Sequence, residues 1–302
     1  MKNTRTIAGH NLEFTHLEKV WFPDSGITKG EILEYYERIA PRLLPYTKDR
    51  PLTMHRFPDG IEDEGFYHQE VSEYFPDWIP RAEVKKEGGH ITHVLCDDAA
   101  TLLYTVNLGS LVPHVWLSRA DRPEYPDRIL IDLDPPDGGA KATTLRAAAL
   151  RVRDALVSVG LTPFVATTGS SGYHVYAPVA RDTIFDEARA IVRRIAAQLV
   201  ERYPDELTIE QRKDKRGERI YLDTIRNSYG HTAVAPYAVR ARKGAPVATP
   251  LSWDELESEP IEPTRYTIKN IFRRLGQVKD PWSDMDHARA SAVEAARRLS
   301  ED

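Results

Sequence analysis

The spacing of hydrophobic and polar residues predicts alternating strands and helices through the middle of the chain. A strand is predicted at 128–133, where Ile129, Leu130 and Ile131 lead into the turn-forming run Asp-Pro-Pro-Asp-Gly. The same reasoning predicts helices over 142–159 and 184–203 and strands at 163–167 and 173–178. This interleaved order favours a mixed α/β fold, with a mixed central sheet flanked by helices.

Helical spacing also predicts helices near both ends of the chain. The first runs from about Lys29 to Leu44, with Thr28 as its N-cap and Glu31 completing a capping box. Two further helices are predicted at 265–275 and 284–299, and further strands at 218–223 and 231–239.

Composition narrows the class of protein. The 302 residues carry 41 basic and 46 acidic side chains, a net charge of −5, which argues against a protein that coats nucleic acid with general positive charge. Cys96 is the single cysteine, so intrachain disulfides are excluded and a cytoplasmic location is expected. No apolar run is long enough for a membrane helix, so no membrane partner is expected.

The segment 59–80 departs from this average. It contains seven acids and no Lys or Arg, together with five aromatic residues. So many aromatic side chains are untypical of a disordered acidic tail, and the segment is predicted to form ordered surface loops and short strands.

Two predicted strands end in acids. Asp132 and Asp134 close the first, and because alternate residues of a strand share a side, both carboxylates can grip divalent cations from one face. Asp223 ends the strand at 218–223 and is the natural third ligand. Each acid could equally cap a turn, since short Asp-x-Asp motifs occur widely without a metal.

Three further patterns are typical of phosphate binding. Thr168–His174 is predicted to form a Gly- and Ser-rich turn whose backbone N–H groups can approach an anion. An ordinary hairpin turn has the same residue pattern. Arg240 and Arg242 alternate in a strand-like segment and so are expected to share a side, as a clamp for a polyphosphate or as a charged edge. A basic cluster at 212–219 is expected to be a solvated loop or a nucleic-acid contact.

Together these residues resemble the polymerase domain of bacterial DNA ligase D, of the archaeo-eukaryotic primase superfamily. The resemblance rests on the strand leading into Asp132, on the turn ending in His174, and on the stretch from Ile220 through Arg242 to Leu256. It runs from about Phe14 to Ile271. The resemblance implies a primase-polymerase catalytic fold with an RRM-like core.

The resemblance also implies roles for individual residues. It gives metal ligation and catalysis to Asp132, Asp134 and Asp223. It gives nucleotide binding to His55, Arg56, His114, Thr168, Gly169, Ser170, His174, Asn227, Arg240 and Arg242. The chain departs from the family at Thr168, where Ser is usual, at Ser171, where many members carry Lys, and at His55, where several do.

Contacts with DNA follow from the same resemblance. Lys19 and Lys29 match a pair that grips the 5′-phosphate of the downstream strand at a gap or break. Phe66 matches an aromatic residue near the template, and Arg216 a basic loop residue on the primer side. The ligase motif Lys-x-Asp-Gly is absent, so a stand-alone polymerase or one domain of a longer protein is expected.

The function that the resemblance implies is template-directed nucleotidyl transfer at gaps and double-strand-break ends in non-homologous end joining. A primase activity is a further possibility within the same class. Two Mn²⁺ or Mg²⁺ ions and an NTP or dNTP, with ribonucleotides preferred, are the implied cofactors and substrate. DNA ends, a Ku-like protein and a separate ligase are the implied partners, in the nucleoid. One domain is expected over 1–302, with a DNA-end-binding part at about 1–125 and a catalytic core at about 126–280. A metal-dependent nuclease or phosphohydrolase and a non-catalytic end-binding module are the alternatives.

Overall fold

Local sequence signals set the elements of the chain, of which the computed structural model describes residues 3–300. The Thr28 hydroxyl accepts a hydrogen bond from the Glu31 N–H, and the Glu31 carboxylate accepts one from the Thr28 N–H, so the predicted capping box is confirmed. None of the helices within residues 3–300 has the length and apolar character that a membrane crossing needs.

The elements alternate along the chain much as the hydrophobic pattern indicates. The strands are β1 (Asn3–Ile7), β2 (His10–Phe14), β3 (Val20–Phe22), β4 (Ile27–Thr28), β5 (Leu52–Arg56), β6 (Phe66–His68), β7 (Arg81–Lys86), β8 (Gly89–Val94), β9 (Ser110–Trp116), β10 (Arg128–Asp134), β11 (Phe164–Thr167), β12 (Tyr173–Pro178), β13 (Leu207–Thr208), β14 (Ile220–Asp223), β15 (Thr232–Val234) and β16 (Thr249–Leu251). The α-helices are α1 (Lys29–Thr47), α2 (Ala99–Asn107), α3 (Ala142–Ser158), α4 (Phe185–Arg202), α5 (Trp253–Ser258), α6 (Ile271–Leu275) and α7 (Ala292–Arg298). Single 3-10 turns cover Lys213–Lys215, Ile225–Asn227 and Met285–His287.

Contacts within the chain group the described residues into two compact units, each assembled from separate stretches of sequence. Unit 1 contains residues 3–121, Thr232–Ala248 and Tyr266–Phe272. Unit 2 contains Arg122–His231, Thr249–Arg265 and residues 273–300.

Unit 2 is built on a six-stranded sheet with the order β13-β14-β10-β12-β11-β16. Its pairs are antiparallel except for β13 with β14, so the sheet is mixed, as the sequence predicts. Helices α3 and α4 pack against β10, and α3 also packs against β12. Ile129, Ile131 and Leu133 leave one face of β10 and are almost fully buried. The opposite face therefore carries Asp132 and Asp134, since side chains alternate along a strand.

Unit 1 contains an antiparallel sheet with the order β15-β9-β5-β6 and three two-stranded hairpins. Helices α1 and α2 pack against each other, and α2 also packs against β9. The buried Tyr36 of α1 donates its hydroxyl to the Leu111 carbonyl at 2.7 Å and accepts the Val239 N–H at 3.0 Å. One phenol thus fixes α1 to two other segments of the unit.

Three predicted elements are shorter than expected, each because a local contact draws the backbone away from the regular form. The strand expected at 231–239 ends at Val234, before Pro236 and the left-handed Tyr237 (φ 66°). The helix expected at 265–275 forms only over Ile271–Leu275, because the Tyr266 carbonyl and the Ile268 N–H bond to Val247 and Ala245 and so hold its first half in a bridge and a turn.

The helix expected at 284–299 is also wrong in its first half. It is divided into a 3-10 turn and α7 by Ala290, which forms a parallel bridge with Val179 at the end of β12. Ser291 then caps α7 through the Glu294 N–H at 3.0 Å.

Gly172 marks the tightest approach of backbone in unit 2. A Cβ added there would lie 1.9 Å from the carbonyl oxygen of Leu133 in β10. Real Cβ atoms do not approach a backbone oxygen so closely, so only glycine lets this turn pass over β10.

We expect Gly172→Ala to lower the free energy of unfolding by about 2–3 kcal/mol, because the methyl group forces the turn and β10 apart. Urea denaturation followed by circular dichroism measures the loss. Ser171→Ala, one residue away and exposed, is the matched control and should change stability by less than about 0.5 kcal/mol. Equal stability of the two variants would contradict the close approach.

Candidate active site

Three carboxylates meet at the end of the central strand of unit 2. The antiparallel pairing of β10 with β14 sets Asp132 directly opposite Asp223. Asp134 follows two residues later, so its side chain leaves the same face of the sheet as that of Asp132. One oxygen from each of the three carboxylates lies within 4.8 Å of the other two. The structure therefore brings together the three acids that the sequence singled out.

Burial and repulsion make this cluster unfavourable for three negative charges. The pKa of Asp134 is raised to about 7, first because burial removes the carboxyl group from water and then because Asp132 and Asp223 carry like charge beside it. Carboxylate oxygens are the ligands that hard divalent cations prefer. The donor set and its excess negative charge therefore fit a divalent metal ion.

Arg226 places a positive charge close to the triad and was missed by sequence reasoning. Its Nε lies 3.7 Å from an oxygen of Asp132 and 3.8 Å from an oxygen of Asp223. Arg226 belongs to the 3-10 turn that begins two residues after Asp223, so the i,i+3 spacing brings the two side chains together. That spacing after a strand-end acid is the signal that could have identified it.

His174 lies beside the triad on the other neighbour of β10. Its residue pairs with Asp132 in the register of β10 with β12, and its Nε2 lies 3.4 Å from an Asp132 carboxylate oxygen. The Nδ1 atom lies 3.4 Å from the hydroxyl of Tyr176, which the sequence did not single out. Both rings are buried, so the imidazole is held between a carboxylate and a phenol at the centre of the sheet.

The Gly- and Ser-rich turn holds itself together through Thr168. The Thr168 hydroxyl accepts hydrogen bonds from the N–H groups of Ser170 at 3.1 Å and Gly172 at 3.2 Å, and it lies 3.0 Å from the Gly172 carbonyl. Gly169 adopts φ 63°, a left-handed conformation that suits glycine. The Thr168 hydroxyl thus holds the turn through hydrogen bonds within it. Thr168 keeps the hydroxyl group that a Ser would supply at this position.

Asn227 fixes the backbone of β10 just before the acids. Its side-chain oxygen accepts the Leu130 N–H at 2.8 Å, and its amide nitrogen donates to the Leu130 carbonyl at 2.6 Å and to the Thr224 carbonyl at 2.9 Å. The residue is almost fully buried. These contacts show that Asn227 holds the strand that carries Asp132 and Asp134. The nucleotide contact that the resemblance implies for Asn227 stays a prediction.

Arg216 lies over a strand that carries one of the acids. Its guanidinium carbon is 3.7 Å from the centre of the Tyr221 ring, and its nitrogens donate to the carbonyls of Glu210 and Gln211. Arg216 also lowers the pKa of Asp134, against the larger effects that raise it. The basic loop therefore comes within electrostatic reach of the triad, while its contact with the primer stays a prediction.

In unit 1, the two predicted nucleotide histidines belong to one ring cluster. His55 stacks on Tyr67 with ring centres 4.2 Å apart, and the His114 ring meets the Tyr67 ring edge-on at 5.8 Å. The pKa of His55 is lowered by burial and then by the charge of Arg240. The cluster presents the Tyr67 ring, which is 60% exposed.

Arg56 leaves the sheet on the side opposite to His55. Adjacent strand residues point to opposite faces, and Arg56 pairs with Phe66 while His55 pairs with Tyr67. The Arg56 guanidinium donates to the Leu108 carbonyl at 2.7 and 3.0 Å, and its carbon lies 5.3 Å from the centre of the Phe66 ring. The structure thus separates Arg56 from His55 and joins it to the exposed Phe66.

The expectation of a strand carrying Arg240 and Arg242 is wrong. The chain folds back there in a tight loop, in which the Arg240 N–H donates to the Pro246 carbonyl and the Arg242 N–H to the Arg240 carbonyl, both at 2.8 Å. A single bridge between Val239 and Val247 replaces a ladder. The alternation of a strand therefore does not govern the two guanidiniums, and their shared side does not follow from it.

Lys19 and Lys29 lie close together at the start of α1. The Lys29 N–H donates to the Lys19 carbonyl at 2.8 Å, and the buried Lys29 ammonium donates to the Thr15 carbonyl at 2.8 Å. Burial and then the charge of Lys19 lower the pKa of Lys29 to about 8. Lys19 forms an ion pair with Asp59. Two neighbouring cations at a helix N-terminus are suited to an anion.

Comparison with known proteins agrees with this geometry. A family model described as the LigD primase-polymerase domain matches residues 28–282. The multifunctional non-homologous end joining protein LigD of Mycolicibacterium smegmatis is 30% identical over 277 residues, which are 91% of this chain and 36% of that protein. The bifunctional LigD of Bacillus subtilis is 30% identical over 90% of this chain and 44% of that protein. The chain thus spans less than half the length of these relatives.

A solved structure shares the fold. The polymerase domain of Mycobacterium tuberculosis ligase D, solved in complex with DNA, is similar with a TM-score of 0.85 and 29% identity, over 91% of this chain and 98% of that one. The mixed sheet with its acidic triad defines a metal-dependent nucleotidyltransferase of the primase-polymerase class. Since the family model covers most of its length, the chain belongs to the LigD primase-polymerase domain family.

The raised pKa of Asp134 leads to a prediction about stability. The folded-state pKa of about 7 exceeds the usual 3.8, so the folded protein holds the proton more tightly and stability falls as pH rises between these values. We expect Asp134→Asn to make the chelator-treated protein more stable than wild type at pH 8, by about 1–3 kcal/mol. The gain should vanish below about pH 4.

Thermal and urea unfolding across this pH range measure the effect. Asp137→Asn, at an exposed position in the turn that follows β10, is the control and should show no such gain in stability at pH 8. A pH-independent difference between wild type and Asp134→Asn would contradict the repulsion described for the triad.

Proposed function

We propose that this chain is a template-directed polymerase domain that adds nucleotides to a primer 3′-hydroxyl at gaps and broken ends of DNA in non-homologous end joining. The observation that carries the proposal is the triad of Asp132, Asp134 and Asp223 at paired strand ends. The names of the LigD relatives and the related domain in complex with DNA support the substrate. The chain then acts as one catalytic domain, with an end-binding part at about 1–125 and a core at about 126–280.

The triad holds the reacting groups through metal ions. When bound by Asp132, Asp134 and Asp223, two ions of Mn²⁺ or Mg²⁺ supply Lewis acidity at the attacking hydroxyl and at the leaving pyrophosphate. Asp132 is central in this arrangement, because it lies between Asp223 and His174 in the sheet. The hydrogen bonds of Asn227 to Leu130 keep the strand that carries two of the ligands in a fixed position.

Triphosphate binding in unit 2 is assigned to the turn and to His174. The Thr168 hydroxyl holds the backbone of the turn through the N–H groups of Ser170 and Gly172, so an anion would have to meet the turn at its other N–H groups, those of Gly169 and Ser171. The His174 ring lies between the Tyr176 hydroxyl and the Asp132 carboxylate, so the phosphate contact proposed for it falls at the edge of the acidic triad. Ser170 supplies a further hydroxyl.

The nucleotide contacts proposed in unit 1 are those of His55, His114, Arg240 and Arg242, with Phe66 near the template. Their support is the family resemblance and, for the two histidines, the ring cluster that they form with Tyr67. The proposal also includes a preference for ribonucleotides and association with the nucleoid. Its proposed partners are a Ku-like protein that recruits the chain and a separate DNA ligase.

DNA ends are recognised, on this proposal, by Lys19 and Lys29. Burial and the charge of Lys19 lower the pKa of Lys29, and a bound phosphate dianion would counter this by placing negative charge beside the Lys29 ammonium. Such phosphate contacts position a strand without reading its bases.

Asp132→Ala is expected to abolish nucleotide addition and to leave DNA binding intact, because it removes the central ligand but none of the proposed DNA contacts. Extension of a 5′-phosphorylated gapped duplex, with NTP or dNTP and Mn²⁺ or Mg²⁺, measures addition, and a mobility shift measures binding. Asp137→Ala is the control, since Asp137 is 80% exposed and outside the triad. Extension by Asp132→Ala would disprove the metal site, and shortening of the primer by wild type would favour a nuclease.

The double variant Lys19→Ala/Lys29→Ala is expected to lose the preference for gaps that carry a 5′-phosphate, by about tenfold in relative affinity. Competition between phosphorylated and unphosphorylated gapped duplexes measures this preference. Lys86→Ala/Lys269→Ala removes the same charge from exposed positions and should keep it. If both double variants discriminate as wild type does, the phosphate grip lies elsewhere.

A further inference from the structure

A run of aromatic rings crosses the surface of unit 1 and has no part in the proposed function. We call it the aromatic strip: Tyr74, Phe75, Tyr104, Trp78 and His10. Successive ring centres are 5.1, 5.4 and 6.0 Å apart, and His10 stacks on Trp78 at 4.1 Å with only 16° between the planes. Tyr74 is 58% exposed. The rings are therefore in contact with one another, with Phe75 buried and with Tyr74, Tyr104, Trp78 and His10 wholly or partly exposed.

The strip is a fixed surface. Phe75 and Ile79 are buried and anchor the segment from below. The Arg81 guanidinium donates to the Pro76 carbonyl at 2.8 Å, and the Val71 N–H donates to the Thr92 carbonyl at 2.8 Å. The hydroxyl of Tyr104 reaches the carbonyl of Tyr74 at 3.4 Å. A ligand at this surface would thus find its contacts already in position.

A small pocket opens at one end of the strip. Its volume is about 150 Å³, and its walls include Trp78, Tyr104, Pro76, Leu12 and Glu13. Three aromatic residues, Phe14, Trp78 and Tyr104, and the acidic residue Glu13 around a space of this size suit the end of one long side chain better than a whole nucleotide.

The charge of the surroundings selects the kind of side chain. The segment 59–80 holds seven acids and no Lys or Arg. Glu73 and Asp77, the exposed neighbours of Tyr74 and Trp78, have no ion-pair partner within the described part of the chain. Beside Glu73 and Asp77 a phosphate is disfavoured, whereas a Lys or Arg side chain gains Coulomb attraction from the two acids and cation–π attraction from Trp78. The Arg56 guanidinium, 3.4 Å from the Tyr74 hydroxyl, already occupies the other end of the strip.

We propose that the aromatic strip docks a basic peptide segment of a partner protein, with one Lys or Arg side chain seated in the pocket that Trp78 and Tyr104 help to line. The surface and the proposed catalytic residues share no member, so the inference goes beyond the polymerase function and does not rest on it.

The test measures binding of a fluorescent synthetic peptide of Lys, Arg and Ala by anisotropy, without DNA or nucleotide. Wild type should bind it, with affinity that falls as salt is raised, and should not bind the same peptide with Glu in place of the basic residues. Glu73→Lys/Asp77→Lys should weaken binding by about tenfold or more. Tyr74→Ser, at an exposed position, should weaken it without the change in charge.

Glu34→Lys/Glu201→Lys makes the same change in net charge at exposed positions elsewhere and should bind the peptide nearly as wild type does. Circular dichroism verifies that each variant is folded, and primer extension by Glu73→Lys/Asp77→Lys should equal that of wild type. Equal weakening in the two charge variants, or no binding of the basic peptide by wild type, would overturn the proposal. So would binding of oligothymidylate that is lost in Tyr74→Ser, since the occupant would then be a nucleic acid.

Discussion

The antiparallel register of β10 with β14 is the constraint on which the site in unit 2 depends. It sets Asp132 opposite Asp223, and a slip of one residue would send these carboxylates to opposite faces of the sheet. The ladder pairs residues 132–134 of β10 with residues 221–223 of β14. Just before it along β10, the Asn227 side chain exchanges two hydrogen bonds with the backbone of Leu130. A side-chain amide thus continues the ladder where the second strand has turned away.

The same register concentrates negative charge, which costs stability when no cation is bound. The fold tolerates the triad because β10 is anchored on its other face by buried apolar residues and because Arg226 offers partial compensation. A guanidinium nitrogen at 3.7 Å is a weaker counter-charge than a divalent ion in direct contact, since Coulomb attraction grows with charge and falls with distance. The repulsion that lowers stability is therefore the same interaction that a bound divalent ion would relieve.

The parts that could be predicted from sequence are those fixed by local pattern. Acids at the ends of apolar strands predicted the triad, and Thr28 with Glu31 predicted the start of α1. Hydrogen-bond partners distant in sequence could not be foretold. The residue type of Asn227 does not show that its amide bonds to the backbone of Leu130. Nor does the sequence show that Arg240 and Arg242 lie in a loop closed by backbone hydrogen bonds rather than in a strand.

Net charge is a poor guide to what this chain binds, because its charges are segregated. With the segment 59–80 set aside, the remaining residues carry a net charge of about +2. Lys19 and Lys29, the lysines proposed to contact DNA, fall in that remainder, although Asp59 of the segment pairs with Lys19 and Phe66, proposed near the template, lies within the segment. The two proposed ligands, a nucleic acid and a basic peptide segment, carry opposite charge, so complementary charge favours each of them at its own contacts.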